Sequence, residues 1–201
     1  MNKRFRLLLI VITLLMFLLI LFAHQIGNYF YEKRNYGAAK PFYSLDYHIW
    51  CHPYSVMKLT EMTSGKEQLS YFELLIKQDF IKHLNNEDKG LIYARYIISM
   101  FGNGMSNKAR DSFKILKNNM REEDRILVIY SVLRSANSKT DDYNFAISEC
   151  NKLDEGTAQN GIRKYNLLTQ LYRKIGNREM SAQSQNAMLN YVNSTHQAIT
   201  H

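Results

Sequence analysis

The residue types that could perform chemistry are sparse in this chain, and the clearest case is a pair of histidines. His48 and His52 are four positions apart, so a helix would place both rings on one face. This spacing can present two ligands to a metal ion, and Asp46 and Cys51 lie close by in sequence. However, the HExxH glutamate is absent, and Pro53 ends or kinks a helix directly after His52. The pattern therefore favours an aromatic-rich face near a membrane, and we predict no metal site.

Other signatures of catalysis are missing from the sequence. It contains no glycine-rich phosphate loop, no nucleophile elbow and no paired carboxylates in a suitable setting. Cys51 and Cys150 are far apart and lack zinc-type spacing, so we interpret both as small buried hydrophobic residues, with a disulfide as the alternative. We therefore expect no enzymatic activity, no catalytic residue and no cofactor. A metal-dependent membrane hydrolase that uses His48 and His52 is the least favoured alternative.

The composition predicts which elements must position these residues. Of the 201 residues, 46% are hydrophobic and 22% are charged, which is typical of a globular domain. Only two prolines and nine glycines occur, too few for the many turns of a β-sandwich or barrel, so the sequence favours an all-α fold. The net charge is +8, and without Lys3, Arg4 and Arg6 the remaining 23 Lys and Arg against 18 Asp and Glu leave +5, which is too diffuse to indicate a nucleic-acid partner.

An apolar segment near the N-terminus predicts a membrane anchor. Residues 7–23 contain no charge and one threonine, and as a helix they would extend about 26 Å, close to the thickness of a bilayer core. We assign residues 1–24 to an uncleaved signal-anchor transmembrane helix, which contacts the lipid bilayer through residues 7–23. A cleaved signal peptide is the alternative, but its apolar region is usually only about 7–15 residues long.

The distribution of basic residues predicts the orientation of this anchor. Three basic residues precede it, whereas those that follow are partly offset by Glu32. The positive-inside rule then favours a cytoplasmic N-terminus and an extracytoplasmic C-terminal domain. A composition rich in Lys, Asn and Ile suggests a bacterial inner membrane. Since no linker-like stretch follows the anchor, we expect it to run straight into the domain.

The clearest helical pattern lies near the C-terminus. Four residues recur at i, i+3, i+4 and i+7, which places a small side chain within an apolar helical stripe: Tyr165, Leu168, Thr169 and Tyr172. Gly176 then marks a turn, and Ser181 offers a small residue in a second helix. This unit resembles the tetratricopeptide repeat (TPR) family, in which helix hairpins of this pattern stack side by side.

The same frame recurs along the chain with looser matches. The small residues expected between the two helices of each hairpin are Ala39, Ser70, Ala109, Ala146 and Ser181. Four steps separate the first from the last, with a mean of 35.5 residues, close to the family period of about 34. The predicted fold class is therefore all-α: an N-terminal transmembrane helix followed by a right-handed array of about five TPR-like helix hairpins. We assign residues 25–192 to this helical domain and 193–201 to a polar tail; a non-repetitive helical bundle is the alternative.

A stacked array of hairpins has a concave surface lined by the first helix of each unit. In the last unit, the resemblance places Asn166, Gln170 and Arg173 on this surface, where their donors would suit an acidic side chain or a peptide carboxylate. The leading helices of two middle units, residues 90–101 and 125–134, are apolar nearly all round. They are either buried on both sides or form an apolar groove.

The sequence thus predicts a function in binding and not in catalysis. The preferred hypothesis is a membrane-tethered scaffold or assembly factor for an envelope complex, with a protein or peptide partner that carries acidic residues. The alternative is a fixed structural subunit of a larger membrane machine.

Overall fold

Helices account for the regular structure of residues 3–78 and 80–199, which this computed structural model describes. The chain is 84% helical and the described residues contain no strand, so the prediction of an all-α fold is confirmed. The α-helices are α1 (Lys3–Leu21), α2 (Ala23–Glu32), α3 (Tyr36–Trp50), α4 (Pro53–Met62), α5 (Gly65–Lys77), α6 (Asn86–Gly102), α7 (Ser106–Leu116), α8 (Glu122–Arg134), α9 (Thr140–Asn151), α10 (Ala158–Lys174) and α11 (Arg178–Ile199). Short 3₁₀ helices follow α5 and α7, at Phe80–His83 and Lys117–Asn119. Residues 193–199 of the predicted polar tail belong to α11.

From Leu7 onwards the first helix is apolar on all sides and its large side chains are mostly exposed, with Leu7 at 67%. Among the described residues, no single helix has both the length and the composition of a membrane span. The segments Phe5–Leu21 and Ala23–Glu32 meet that test only as a pair, and they are bent by 61°. The chain bends at Phe22, the single residue between α1 and α2, so α2 follows α1 without a linker, and the membrane anchor stays a prediction.

Residues 1–84 form one compact unit, whose described helices are α1 to α5. From α2 to α5, each helix packs against the next. The buried core of this unit contains Ala39, Tyr43 and Leu59. A Cβ atom at Gly27 would lie 3.2 Å from the ring of Tyr43, so the missing side chain lets α2 approach α3 closely. This approach brings the start of α2 beside the C-terminal half of α3.

Residues 85–201 form the second compact unit, in which the described helices make three consecutive pairs. α6 packs on α7, α8 on α9 and α10 on α11, and the leading helices also pack in order, α6 on α8 and α8 on α10. α7 contacts α9 in the same manner. Gly104 and Gly176 adopt positive φ angles of 73° and 75° in the turns after α6 and α10, a conformation that glycine adopts without steric penalty.

The five small positions of the predicted repeat all lie in the second helix of a consecutive pair: α3, α5, α7, α9 and α11. Four of these side chains are buried: Ala39, Ala109, Ala146 and Ser181. Ser70 is exposed, and its hydroxyl donates to the carbonyl of Glu67 (2.7 Å). The expected small contact is therefore missing from the α4–α5 pair, and the repeat itself stays a prediction.

The apolar leading helices α6 and α8 of the second unit are buried to different extents. The buried residues of α6 include Ile92, Ala94, Ile97 and Phe101, and those of α8 include Ile126, Val128, Ile129 and Val132. The buried positions of α6 spread over more than half of its circumference, so α6 lies largely inside the unit. α8 is buried on one side only: Leu127 is 44% exposed, and Tyr130 and Arg134 line an open cleft. The described structure therefore supports the buried alternative for α6 but not for α8.

Candidate functional site

The predicted groove residues lie on α10, and two of them line an open cleft of about 850 Å³. The cleft is bounded by the last turns of α8 and α10, through Tyr130, Leu133, Arg134, Gln170, Arg173 and Lys174. Asn166 is absent from this lining. Its side-chain oxygen instead accepts a hydrogen bond from Nε2 of Gln170 (3.1 Å), which orients the Gln170 amide.

The cleft is cationic on a partly apolar floor. Arg134, Arg173 and Lys174 are exposed, and no acidic residue belongs to the described lining. The Arg134 guanidinium lies 5.6 Å from the centre of the Tyr130 ring, within the range of a cation–π contact. Nη2 of Arg173 donates to Oε1 of Gln185 on α11 (3.0 Å), which leaves its other donors for a ligand.

A second polar site lies in the first unit and was missed by the sequence analysis. His24 is the second residue of α2, Asp46 lies on the buried side of α3, and His52 directly precedes α4. Nδ1 of His24 lies 3.2 Å from Oδ2 of Asp46, and Nδ1 of His52 lies 2.9 Å from Oδ1. The three ligand atoms all fall within 4.8 Å of one another. We call these three residues the His–Asp–His cluster.

Burial is uneven across the His–Asp–His cluster. The Asp46 side chain is only 2% exposed, whereas those of His24 and His52 are 29% and 52% exposed. Ser55, in the first turn of α4, is completely buried, and its hydroxyl donates to Oδ2 of Asp46. A buried carboxylate is costly unless it is paired, and here a hydroxyl and two imidazoles face it. One side of the cluster remains open to solvent through His52.

Tyr43 forms an apolar wall of the same cluster. Its ring packs edge-on against His24, with 6.2 Å between the ring centroids. The Tyr43 hydroxyl donates to Oδ1 of Asn28 (2.6 Å), and burial raises the pKa of this phenol to about 12. The group is therefore neutral at physiological pH.

The pairing of His48 with His52, which their spacing would allow but the sequence analysis did not favour, does not form in the structure. α3 ends at Trp50, Cys51 follows with a left-handed φ of 54°, and Pro53 begins α4 as its first residue. His48 therefore stays on α3, where it is exposed and its ring packs on Tyr47, 5.2 Å between centroids. His52 turns towards Asp46 instead. No local spacing signals His24, which lies 22 residues from Asp46.

The two cysteines also differ from one another. Both lie in the described part of the chain and are free thiols, which rules out the disulfide between them in this structure. Cys150 is buried as expected, and burial raises the pKa of its thiol to about 12. Cys51 is exposed, contrary to expectation, because it caps the end of α3 in the turn towards α4.

The cleft and the His–Asp–His cluster thus differ in their chemistry. The cleft of the second unit offers guanidinium and ammonium groups, which suit carboxylates. The His–Asp–His cluster offers imidazole nitrogens and a carboxylate, which are ligands of transition metals. No protein-family model, curated protein or solved structure matches this chain.

Proposed function

We propose that the protein is a membrane-tethered scaffold that binds an acidic segment of a partner protein in the cleft between α8 and α10. The observation that carries this proposal is the cleft itself, where three exposed cations surround a floor formed by Tyr130 and Leu133. An acidic segment with apolar residues would pair its carboxylates with the cations and cover the floor.

The exposed surface of α1 supports the tethering. A helix that is apolar all round and packs against few other residues is stable in lipid. In water, the exposure of its apolar side chains would be unfavourable. The connection between α3 and α4 approaches the end of α1, because Nε1 of Trp50 donates to the carbonyl of Ile20 (3.4 Å). Three large side chains around this connection are exposed: Ile49, Trp50 and Tyr54. Tryptophan and tyrosine favour the interface between membrane and water. In the proposed topology, the N-terminus is cytoplasmic and the domain is exported from an inner membrane.

The packing order of α6 to α11 supports a TPR-like array. In such an array each leading helix packs on its own partner and on the next leading helix: α6 and α8 do both, and the last leading helix, α10, packs on α11 and α8. The cleft lies between two adjacent leading helices, the surface that helical-repeat proteins use for binding. We therefore propose degenerate TPR-like hairpins as the framework of the binding site.

The cation that the cleft offers most directly is Arg173. A charge-assisted hydrogen bond contributes about 1.5–3 kcal/mol, so losing one should weaken binding roughly tenfold or more. Arg173→Ala should leave the thermal melt nearly unchanged, since the side chain is exposed and its one described partner is the Gln185 amide. Arg178 is a matched control, because it is also exposed but lies outside the cleft.

The test measures binding of a dye-labelled peptide of Glu and Leu to the full chain in detergent micelles, by fluorescence anisotropy at physiological salt. A second peptide, with Gln at every Glu, reports apolar binding alone. We expect Arg173→Ala to weaken the Glu peptide about tenfold and Arg178→Ala to leave it unchanged. If both variants lose the same affinity for the Glu peptide, the binding is unspecific charge attraction. If Arg173→Ala lowers the melting temperature strongly, Arg173 is a structural residue. Either result rejects the proposed site.

A further inference from the structure

We propose that His24, Asp46 and His52 bind a Zn²⁺ ion, a site independent of the cleft in the second unit. The three residues come from three segments, α2, α3 and the residue before α4. Two imidazole nitrogens and a carboxylate oxygen are a common set of three protein ligands for zinc. The structure therefore assigns a metal-binding role to residues that local sequence spacing does not connect.

The distances fit a tetrahedral ion. Zinc lies about 2.0–2.2 Å from nitrogen and oxygen ligands, which places neighbouring donors about 3.3 Å apart. Nδ1 of His24 lies 3.2 Å from one carboxylate oxygen of Asp46, and Nδ1 of His52 lies 2.9 Å and 3.0 Å from the two oxygens. The two distances to Oδ2 are close to the edge length of a tetrahedral face, and the three ligand atoms all lie within 4.8 Å of one another. A small rotation of the His52 ring, whose side chain is 52% exposed, would complete the face around an ion.

Asp46 is already held as a metal ligand would be. It is almost fully buried, and the hydroxyl of Ser55 donates to its Oδ2. Metal-binding carboxylates are typically fixed by a further hydrogen bond of this kind, which orients the oxygen and reduces the entropy lost on binding. His24 is likewise fixed, since its ring lies against Tyr43 and Tyr54, 6.2 Å and 5.2 Å between centroids.

The fourth position faces solvent on the side of His52, whose side chain is half exposed. Three protein ligands with an open fourth position characterise zinc sites that hold water or an exchangeable ligand, whereas structural sites close all four. The ion would also tie the start of α2 to the α3–α4 turn, next to the Trp50 contact with the end of α1. A metal-free hydrogen-bonded cluster is the competing account, in which both imidazoles donate to Asp46.

The test compares metal binding by the full chain in detergent with that of two histidine variants. The protein is stripped with a chelator, titrated with Zn²⁺ by calorimetry, and analysed for bound metal by mass spectrometry. His52→Gln removes one ligand from an exposed position, so the fold is retained, which far-UV circular dichroism checks. His48→Gln is the matched control, because His48 is exposed on α3 and lies outside the cluster.

We expect one Zn²⁺ per chain for the wild type and for His48→Gln. His52→Gln should bind at least about 100-fold more weakly, since even changes beyond the direct ligands cost about 10–100-fold in affinity. Stripped wild-type protein loaded with Co²⁺ should show the visible absorption of a four-coordinate ion, and His52→Gln should not. A wild type that binds no Zn²⁺, or that binds it no better than His52→Gln, overturns the proposal and leaves a hydrogen-bonded cluster.

Discussion

Replacing Lys164 with methionine should destabilise the second unit more than any surface charge change. Lys164 lies on α10 and is only 7% exposed. Its Nζ donates to the carbonyls of Asn151 (2.9 Å) and Leu153 (3.0 Å) and to Oε1 of Glu155 (2.7 Å). The ammonium therefore satisfies carbonyls at the end of α9 and holds the connection between α9 and α10.

The size of the effect follows from what methionine cannot replace. Methionine keeps the stem of the side chain, so the apolar packing changes little. The Leu153 carbonyl then loses a donor in a buried place, at about 1–3 kcal/mol, and the part-buried Asn151 carbonyl loses one at a smaller cost. Glu155 still accepts from Tyr191 (2.7 Å), so its carboxylate is not left unpaired. We expect Lys164→Met to lower the free energy of unfolding by about 3 kcal/mol, which is at the lower end of the range for breaking a buried ion pair.

Urea unfolding followed by circular dichroism measures this loss. With a slope of about 2 kcal/mol per molar urea, the midpoint of the second unit should fall by about 1.5 M. Lys174→Met is the control, because Lys174 ends the same helix but is exposed, and it should change stability by less than about 0.5 kcal/mol. If both variants unfold at the same urea concentration, the buried network of Lys164 contributes nothing and the reasoning fails.

Two further predictions concern glycine packing and thiol reactivity. Gly90→Ala should lower the free energy of unfolding by about 1–3 kcal/mol in the same urea experiment, because the added methyl group would lie 2.5 Å from Oδ2 of Asp124. Gly102→Ala is the control: its methyl group meets nothing within 4 Å, so this variant should raise the free energy of unfolding by about 0.5 kcal/mol. If Gly102→Ala instead lowers the free energy of unfolding as much as Gly90→Ala does, the close contact at Gly90 is refuted. At about pH 8, a maleimide should label Cys51 but not Cys150 in the native protein, since burial raises the pKa of the Cys150 thiol to about 12. Peptide mass spectrometry that finds both thiols labelled equally fast would contradict that burial.

Local structure was the part of this protein that the sequence predicted best. The stripe that includes Leu168 and Tyr172 indicated α10, and both residues are buried in it. Gly176 marked the turn into α11, where its positive φ confirms the reason for a glycine. These features depend on residues within one or two helical turns, so periodicity and turn chemistry are sufficient to find them.

The candidate sites depended on more than local spacing. Spacing on one helix suggested His48 and His52, but it does not fix where a helix ends, and α3 ended between them at Trp50. Likewise, Gln170 and Arg173 were expected in a groove from the pattern of α10, yet the opposite wall, including Arg134, comes from α8. Side chains from different helices meet only after those helices pack.

By itself, the sequence determined the helical character of the chain and the apolar nature of its first helix. Composition and hydrophobic period act within short segments, which is why both could be read without a structure. Only the tertiary structure decided that His24 lies beside Asp46, because that contact requires α2 to pack closely on α3 at Gly27. The free energy of that packing is shared among many weak contacts between distant segments, and no single spacing in the sequence records it.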